Sequence, residues 1–147
     1  MKVIADTNII ISALISPKGK ESDIILNPVY DFKKYTCNFL YDEILKHKAK
    51  ILKAAGLKDA DFFEVYFKIS RRIRFINEEQ IPDSVWEKAL AFTTRIDESD
   101  TPFVALSLYL NGYLWTGDKK LLRGLSKRGF QKILTTADLI KGKWNMV

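Results

Sequence analysis

The chain has 147 residues, 47% of them apolar, enough for one well-buried core. Its net charge is +6 and its pI about 9.3, a balance that suits a polyanionic partner. Cys37 is the lone cysteine and His47 the lone histidine. That excludes an internal disulfide and a zinc site of thiolates and imidazoles, and a free thiol fits a reducing cytosol. No stretch is apolar enough to span a membrane and the N-terminus lacks a leader pattern, so a cytoplasmic protein is expected.

In chain order, Lys2 to Ala5 reads as a buried strand and Ile9 to Ile15 as a helix stopped by Ser16-Pro17-Lys18-Gly19. A helix over Glu21 to Leu26 ends at Asn27-Pro28. Lys34 to Cys37 reads as a strand, and Asn38 as the cap of one long helix running to about Lys53, before Gly56. A further helix covers Asp59 to Arg72, and Ile73 to Ile76 is a third strand. Asp83 reads as the cap of a helix reaching Thr94. Thr101-Pro102 opens an apolar helix closed by Asn111-Gly112. Tyr113 to Thr116 (strand), Lys119 to Ser126 (helix), Gln131 to Leu134 (strand) and a short helix from Thr136 complete the chain. Strands alternating with helices predict an α/β fold with a mostly parallel sheet, and the absence of linkers or repeats predicts a single domain over 1–147.

Four acids stand where strands end or helices begin: Asp6, Glu43, Asp100 and Asp118. In an open α/β sheet such positions converge at the carboxyl ends of the strands. Carboxylates gathered there cannot all stay ionised without a cation. Hard oxygen donors favour Mg²⁺ or Mn²⁺. Each acid also has a plainer reading: Asp6 and Asp118 as helix caps, Asp100 as a first-turn acid, Glu43 as a salt-bridged residue at the margin of a helix stripe formed by Leu40, Ile44, Ile51, Ala54 and Ala55. Together they favour a metal site. Lys119, Lys120 and Arg123 follow Asp118 directly and are the expected phosphate contacts; Arg71, Arg72 and Arg74 make a separate basic group.

The segments VIADTNIIISAL, YDEIL and DESDTPFVALSLYLNGYLWTGDKKLLRGL resemble a PIN domain, a likeness that spans nearly the whole chain. The resemblance implies a three-layer α/β/α sandwich and Mg²⁺- or Mn²⁺-dependent hydrolysis of phosphodiesters, most often in RNA. It places Asp6, Glu43, Asp100 and Asp118 at the acidic ligand positions, with Asn8 and Thr116 supporting. Asp97 and Glu98 remain alternatives to, or companions of, Asp100. Many small prokaryotic members are toxins of toxin–antitoxin pairs and form homodimers, which implies RNA, an antitoxin protein and a second copy as partners. The competing expectations are a non-catalytic RNA- or partner-binding module on the same fold, and a phospho-acceptor or phosphatase domain. Asp6-Thr7-Asn8 lacks the second aspartate that the haloacid type of phosphatase needs.

Overall fold

A computed structural model of the chain describes residues 1–142; residues 143–147 of the expected domain span lie outside them. Among the described residues five strands form the sheet: β1 (Lys2–Ala5), β2 (Lys33–Cys37), β3 (Arg74–Ile76), β4 (Tyr113–Trp115) and β5 (Ile133–Leu134). Their order is β3-β2-β1-β4-β5 and all four pairings are parallel. Val3 and Ile4 on β1, and Leu114 and Trp115 on β4, are fully buried. Covering both faces of a sheet is what makes such short strands stable, since each large side chain removed from water contributes about 1.5–3 kcal/mol.

The helices among the described residues are α1 (Thr7–Ile15), α2 (Lys20–Leu26), α3 (Phe39–Lys46), α4 (Lys48–Ala55), α5 (Asp59–Ser70), α6 (Asp83–Thr93), α7 (Thr101–Leu110), α8 (Lys119–Lys127) and α9 (Thr136–Ile140). They complete the three-layer α/β/α sandwich. Helix α7 packs on β1, β2 and β4 and is itself covered by α6, which explains an apolar run with no polar face: Phe103, Val104, Ala105 and Leu106 are all buried. Asn111 ends it in the left-handed region at φ 54°, and the Gly112 amide donates to the Ser107 carbonyl at 3.0 Å. A Cβ at Gly112 would sit 2.6 Å from Ile4 Cδ1, so glycine is what lets the turn close against β1.

Two expected features differ. The long helix from Asn38 is broken at His47 (φ −99°, ψ 8°) into α3 and α4. Beyond the break α4 packs on α1, and Lys48 at its start pairs with Asp59 at 2.9 Å and lies 4.8 Å from the Phe63 ring centroid. The stripe consequently loses phase: Leu40, Ile44 and Ile51 are buried, whereas Ala54 is exposed. Neither Asn38 nor Asp83 caps through its side chain. Asn38 already has helical dihedrals, and α6 begins at Asp83 behind an extended Pro82, whose ring presets the entry. Two 3-10 turns, Glu78–Gln80 and Glu98–Asp100, were not expected.

Candidate metal centre

The sheet order reverses between β1 and β4: from β1 the chain steps outward to β2, and β4 lies on the other side. The crevice beyond the carboxyl ends of these two strands is where ligands bind in open α/β sheets. The Asp6 amide donates to the Trp115 carbonyl at 3.3 Å, holding the two strand ends together just there.

Asp6 leaves β1 and caps α1, accepting the Ile9 amide on Oδ1 at 3.0 Å. It is 1% exposed. Its Oδ2 is sealed from solvent and makes no hydrogen bond of acceptable geometry, the nearby Thr116 hydroxyl included. Among the described residues no other buried side-chain oxygen or nitrogen is left so. Thr36, Ser22 and Ser107, equally buried, each donate to a backbone carbonyl. Burial pushes the Asp6 carboxyl up to about 6, and the Asp118 charge pushes the same way against the pull of Thr116 and the Ile9 and Asn8 amides.

Asp118 caps α8 through Oδ1, which accepts the Lys120 amide at 2.9 Å and the Leu121 amide at 3.2 Å. Its own amide donates to Thr116 Oγ1 at 3.1 Å, so Thr116, fully buried at the end of β4, shapes the Thr-Gly-Asp turn. Asp100 closes the 3-10 turn before α7 and is buried. Burial first, then the charges of Asp6, Asp97 and Asp118, push its carboxyl up to about 8. Asp97 opens that turn by accepting the Ser99 amide at 3.0 Å, after Arg95 has reversed the chain at φ 66°.

Carboxylate oxygens of Asp97, Asp100 and Asp118 lie within 4.8 Å of one another. Asp6 couples electrostatically to both Asp100 and Asp118. Three acids therefore form a geometric cluster with the buried Asp6 electrostatically coupled to it, and Glu98, exposed, is not part of it. Glu43 stands apart. Its carboxylate is 3.6 Å from His47 Nε2 on α3, it is partly exposed, and it is not among the charges that raise Asp100. Asn8 is exposed beside the crevice, where with Ser12, Glu21, Gly117, Asp118 and Thr136 it lines a cavity of about 260 Å³. Glu21 and Ser12 had no motif to single them out; α2 folding against α1 brings Glu21 there. Lys119, Lys120 and Arg123 are exposed on α8, one turn from Asp118.

The donor set fits a divalent cation. Crowded carboxylates, one with an orphaned buried oxygen, are unfavourable in a low-dielectric crevice unless a cation or protons neutralise them. All the donors are hard oxygens, as Mg²⁺ and Mn²⁺ require.

The family model for the PIN domain matches residues 4–138. No curated protein sequence matches the chain. Among solved structures, a chain of VapBC2 from Rickettsia felis, determined bound to a DNA fragment from their promoter, is similar in fold: TM-score 0.70 at 13% identity, covering 92% of this chain and 98% of that one.

Proposed function

This chain belongs to the PIN domain family, and from that premise we propose that it is a divalent-metal-dependent endoribonuclease, the toxin of a toxin–antitoxin pair. The observation that carries the catalytic reading is the cluster of Asp97, Asp100 and Asp118, to which the buried Asp6, with its unpartnered Oδ2, is coupled electrostatically. Asp6, Asp100 and Asp118 would hold Mg²⁺ or Mn²⁺, with Asp97 alongside. When bound, the ion neutralises these charges, polarises the scissile phosphate and makes water a stronger acid.

The chain's own groups do the positioning. Caps on α1 and α8 each tie up one oxygen of Asp6 and Asp118 and leave the other free to coordinate. Thr116 fixes the turn that aims Asp118. Lys119, Lys120 and Arg123 bind phosphates flanking the cleavage point. Glu43, on α3 with His47 beside it, would complete the ligand set directly or through water, or orient the attacking water. Asn8 at the mouth offers a hydrogen bond to the substrate.

Cleavage of single-stranded RNA by the purified chain should need Mg²⁺ or Mn²⁺ and stop in excess EDTA; undiminished cleavage in EDTA sinks the proposal. The toxin reading draws on the likeness of fold to VapBC2. It supplies the partners: an antitoxin protein and a second copy of this chain, in the cytoplasm. Expressed alone, the chain should arrest growth, and co-expression of a neighbouring gene's product should relieve the arrest. Normal growth despite soluble, RNA-cleaving protein would contradict it.

A further inference from the structure

We infer that the cavity between α3, α5 and β3 binds one nucleobase of a single-stranded RNA, giving the crevice a subsite beyond the acids; the inference rests on the ribonuclease reading. The cavity is about 590 Å³, within the range of roughly 300–1,000 Å³ typical of ligand pockets, and no residue assigned above lines it. Tyr41, Tyr66 and Phe75 supply aromatic surface, with Asn38, Asp42 and Arg71 at the edges. Tyr41 is 44% exposed and its ring meets Tyr66 edge-on at 6.0 Å between centroids and 62° between planes, an exposed aromatic at the cavity suited to stacking. Tyr66 is 8% exposed and its hydroxyl makes no hydrogen bond to another described residue.

Place and charge both favour nucleic acid. Cys37 ends β2, the strand beside β1, so Asn38 follows it at the same carboxyl edge as Asp6, roughly one strand spacing (~4.8 Å) across. The basic helix α8 lies beyond β4 on the opposite side of the acids. A strand of RNA crossing this edge from α8 over the acids reaches the aromatic cavity next. Arg71 lines the cavity and is exposed, as are its chain neighbours Arg72 and Arg74, which suits a polyanion. An apolar side chain from a protein would leave Asn38, Asp42 and Arg71 desolvated without partners. A base has edges for Asn38 and Asp42, a face for Tyr41 and a phosphate for Arg71.

The test compares a short single-stranded RNA with the same strand carrying abasic riboses, in Ca²⁺, by fluorescence anisotropy. Wild type should bind the base-bearing strand roughly 5- to 100-fold more tightly, the range of one stacked base. Tyr41→Ala should erase most of that ratio and Tyr41→Phe should keep it, which separates stacking from misfolding. Arg71→Ala should weaken both strands and lower the salt slope by about one released counterion. Equal binding of the two strands by wild type, or a full ratio in Tyr41→Ala, overturns the inference. So does a Tyr41→Ala variant whose ratio is intact but whose homodimer dissociates by light scattering, which assigns the cavity to a second copy. Mn²⁺-dependent hydrolysis by wild type of bis-para-nitrophenyl phosphate, which has no base, reports the metal centre separately. Hydrolysis without a base preference overturns the subsite alone. A Tyr41-dependent base preference with no hydrolysis of either substrate overturns the ribonuclease reading and leaves the subsite standing.

Discussion

Asp6 is the residue on which cap and ligand meet. Its Oδ1 satisfies the Ile9 amide while Oδ2 has no partner, so the structural and functional readings of an acid at a helix start are compatible, one oxygen each. The carboxyls of Asp6 and Asp100, pushed up to about 6 and about 8 from a usual 3.8, bind protons more tightly folded than unfolded. Stability of the metal-free chain should therefore fall as pH rises from about 4 through 8, by ~3 kcal/mol for the Asp6 shift taken alone. Urea unfolding at about pH 5 and about pH 8 in EDTA checks this, and a midpoint that holds steady or rises with pH contradicts it. Added Mn²⁺ should restore the loss at the higher pH, since it binds only the folded state. Asp6→Asn removes a buried charge and keeps a good cap. At about pH 8 in EDTA it should be as stable as wild type or more so, by up to about 1–3 kcal/mol, with most of the Mn²⁺-induced shift in melting temperature gone. A clearly destabilised variant that retains the full Mn²⁺ shift would return Asp6 to a purely structural role. Sequence alone could point to Asp6, Asp100 and Asp118 because strand ends and helix starts mark them. It left Asp97 and Glu98 both open as companions of Asp100, because neighbours in a loop have no periodicity to tell them apart; the fold puts Asp97 in the cluster and leaves Glu98 exposed.

Among the elements, strands and helices were legible wherever composition switched sharply: β1 before Asp6, α7 between Thr101-Pro102 and Asn111-Gly112, α8 after Asp118. The break at His47 was not, since no Gly or Pro marks it and the helix that α4 packs on, α1, is a distant part of the chain. Glu43 keeps its place beside the buried Leu40 and Ile44, which lie on α3 ahead of the break. Helix α8 packs at Gly124 against the segment that leads into Asp97. A Cβ on Gly124 would sit 2.4 Å from Ile96 Cδ1 and 2.9 Å from its Cγ1, and Ile96 directly precedes Asp97. Gly124→Ala gains about 1 kcal/mol of helix propensity but overpacks this contact at about 1–3 kcal/mol. We expect a net loss of up to about 2 kcal/mol and weaker Mn²⁺ binding, read by denaturant melts and metal titration; a stabilised variant with unchanged Mn²⁺ affinity contradicts that packing. Neutralising Lys119, Lys120 and Arg123 together should weaken RNA binding and flatten its salt dependence by up to about three counterions, with Mn²⁺ affinity little changed. An unaltered slope moves the RNA path off α8.

For the whole molecule, the order β3-β2-β1-β4-β5 explains why acids far apart in sequence share one crevice: β1 and β4 are neighbours in space and diverge in topology, and their loops open on the same side. That convergence was readable in outline from alternating strands and helices. Strand order was not, because periodicity says which residues are buried and nothing about which strand lies beside which. A net charge of +6 set around a buried acidic crevice describes a surface that draws in a polyanion and a centre that, without a cation, would repel it. The most direct test measures cleavage of single-stranded RNA against Mn²⁺ concentration for wild type and Asp6→Asn side by side, each repeated in EDTA. Wild type should cleave in saturable proportion to Mn²⁺ and not at all in EDTA, and Asp6→Asn should lose at least about 100-fold in rate at the same Mn²⁺, the scale expected when a group stabilising transition-state charge is removed. Cleavage that persists in EDTA, or an Asp6→Asn variant as active as wild type, would contradict a carboxylate-held metal centre.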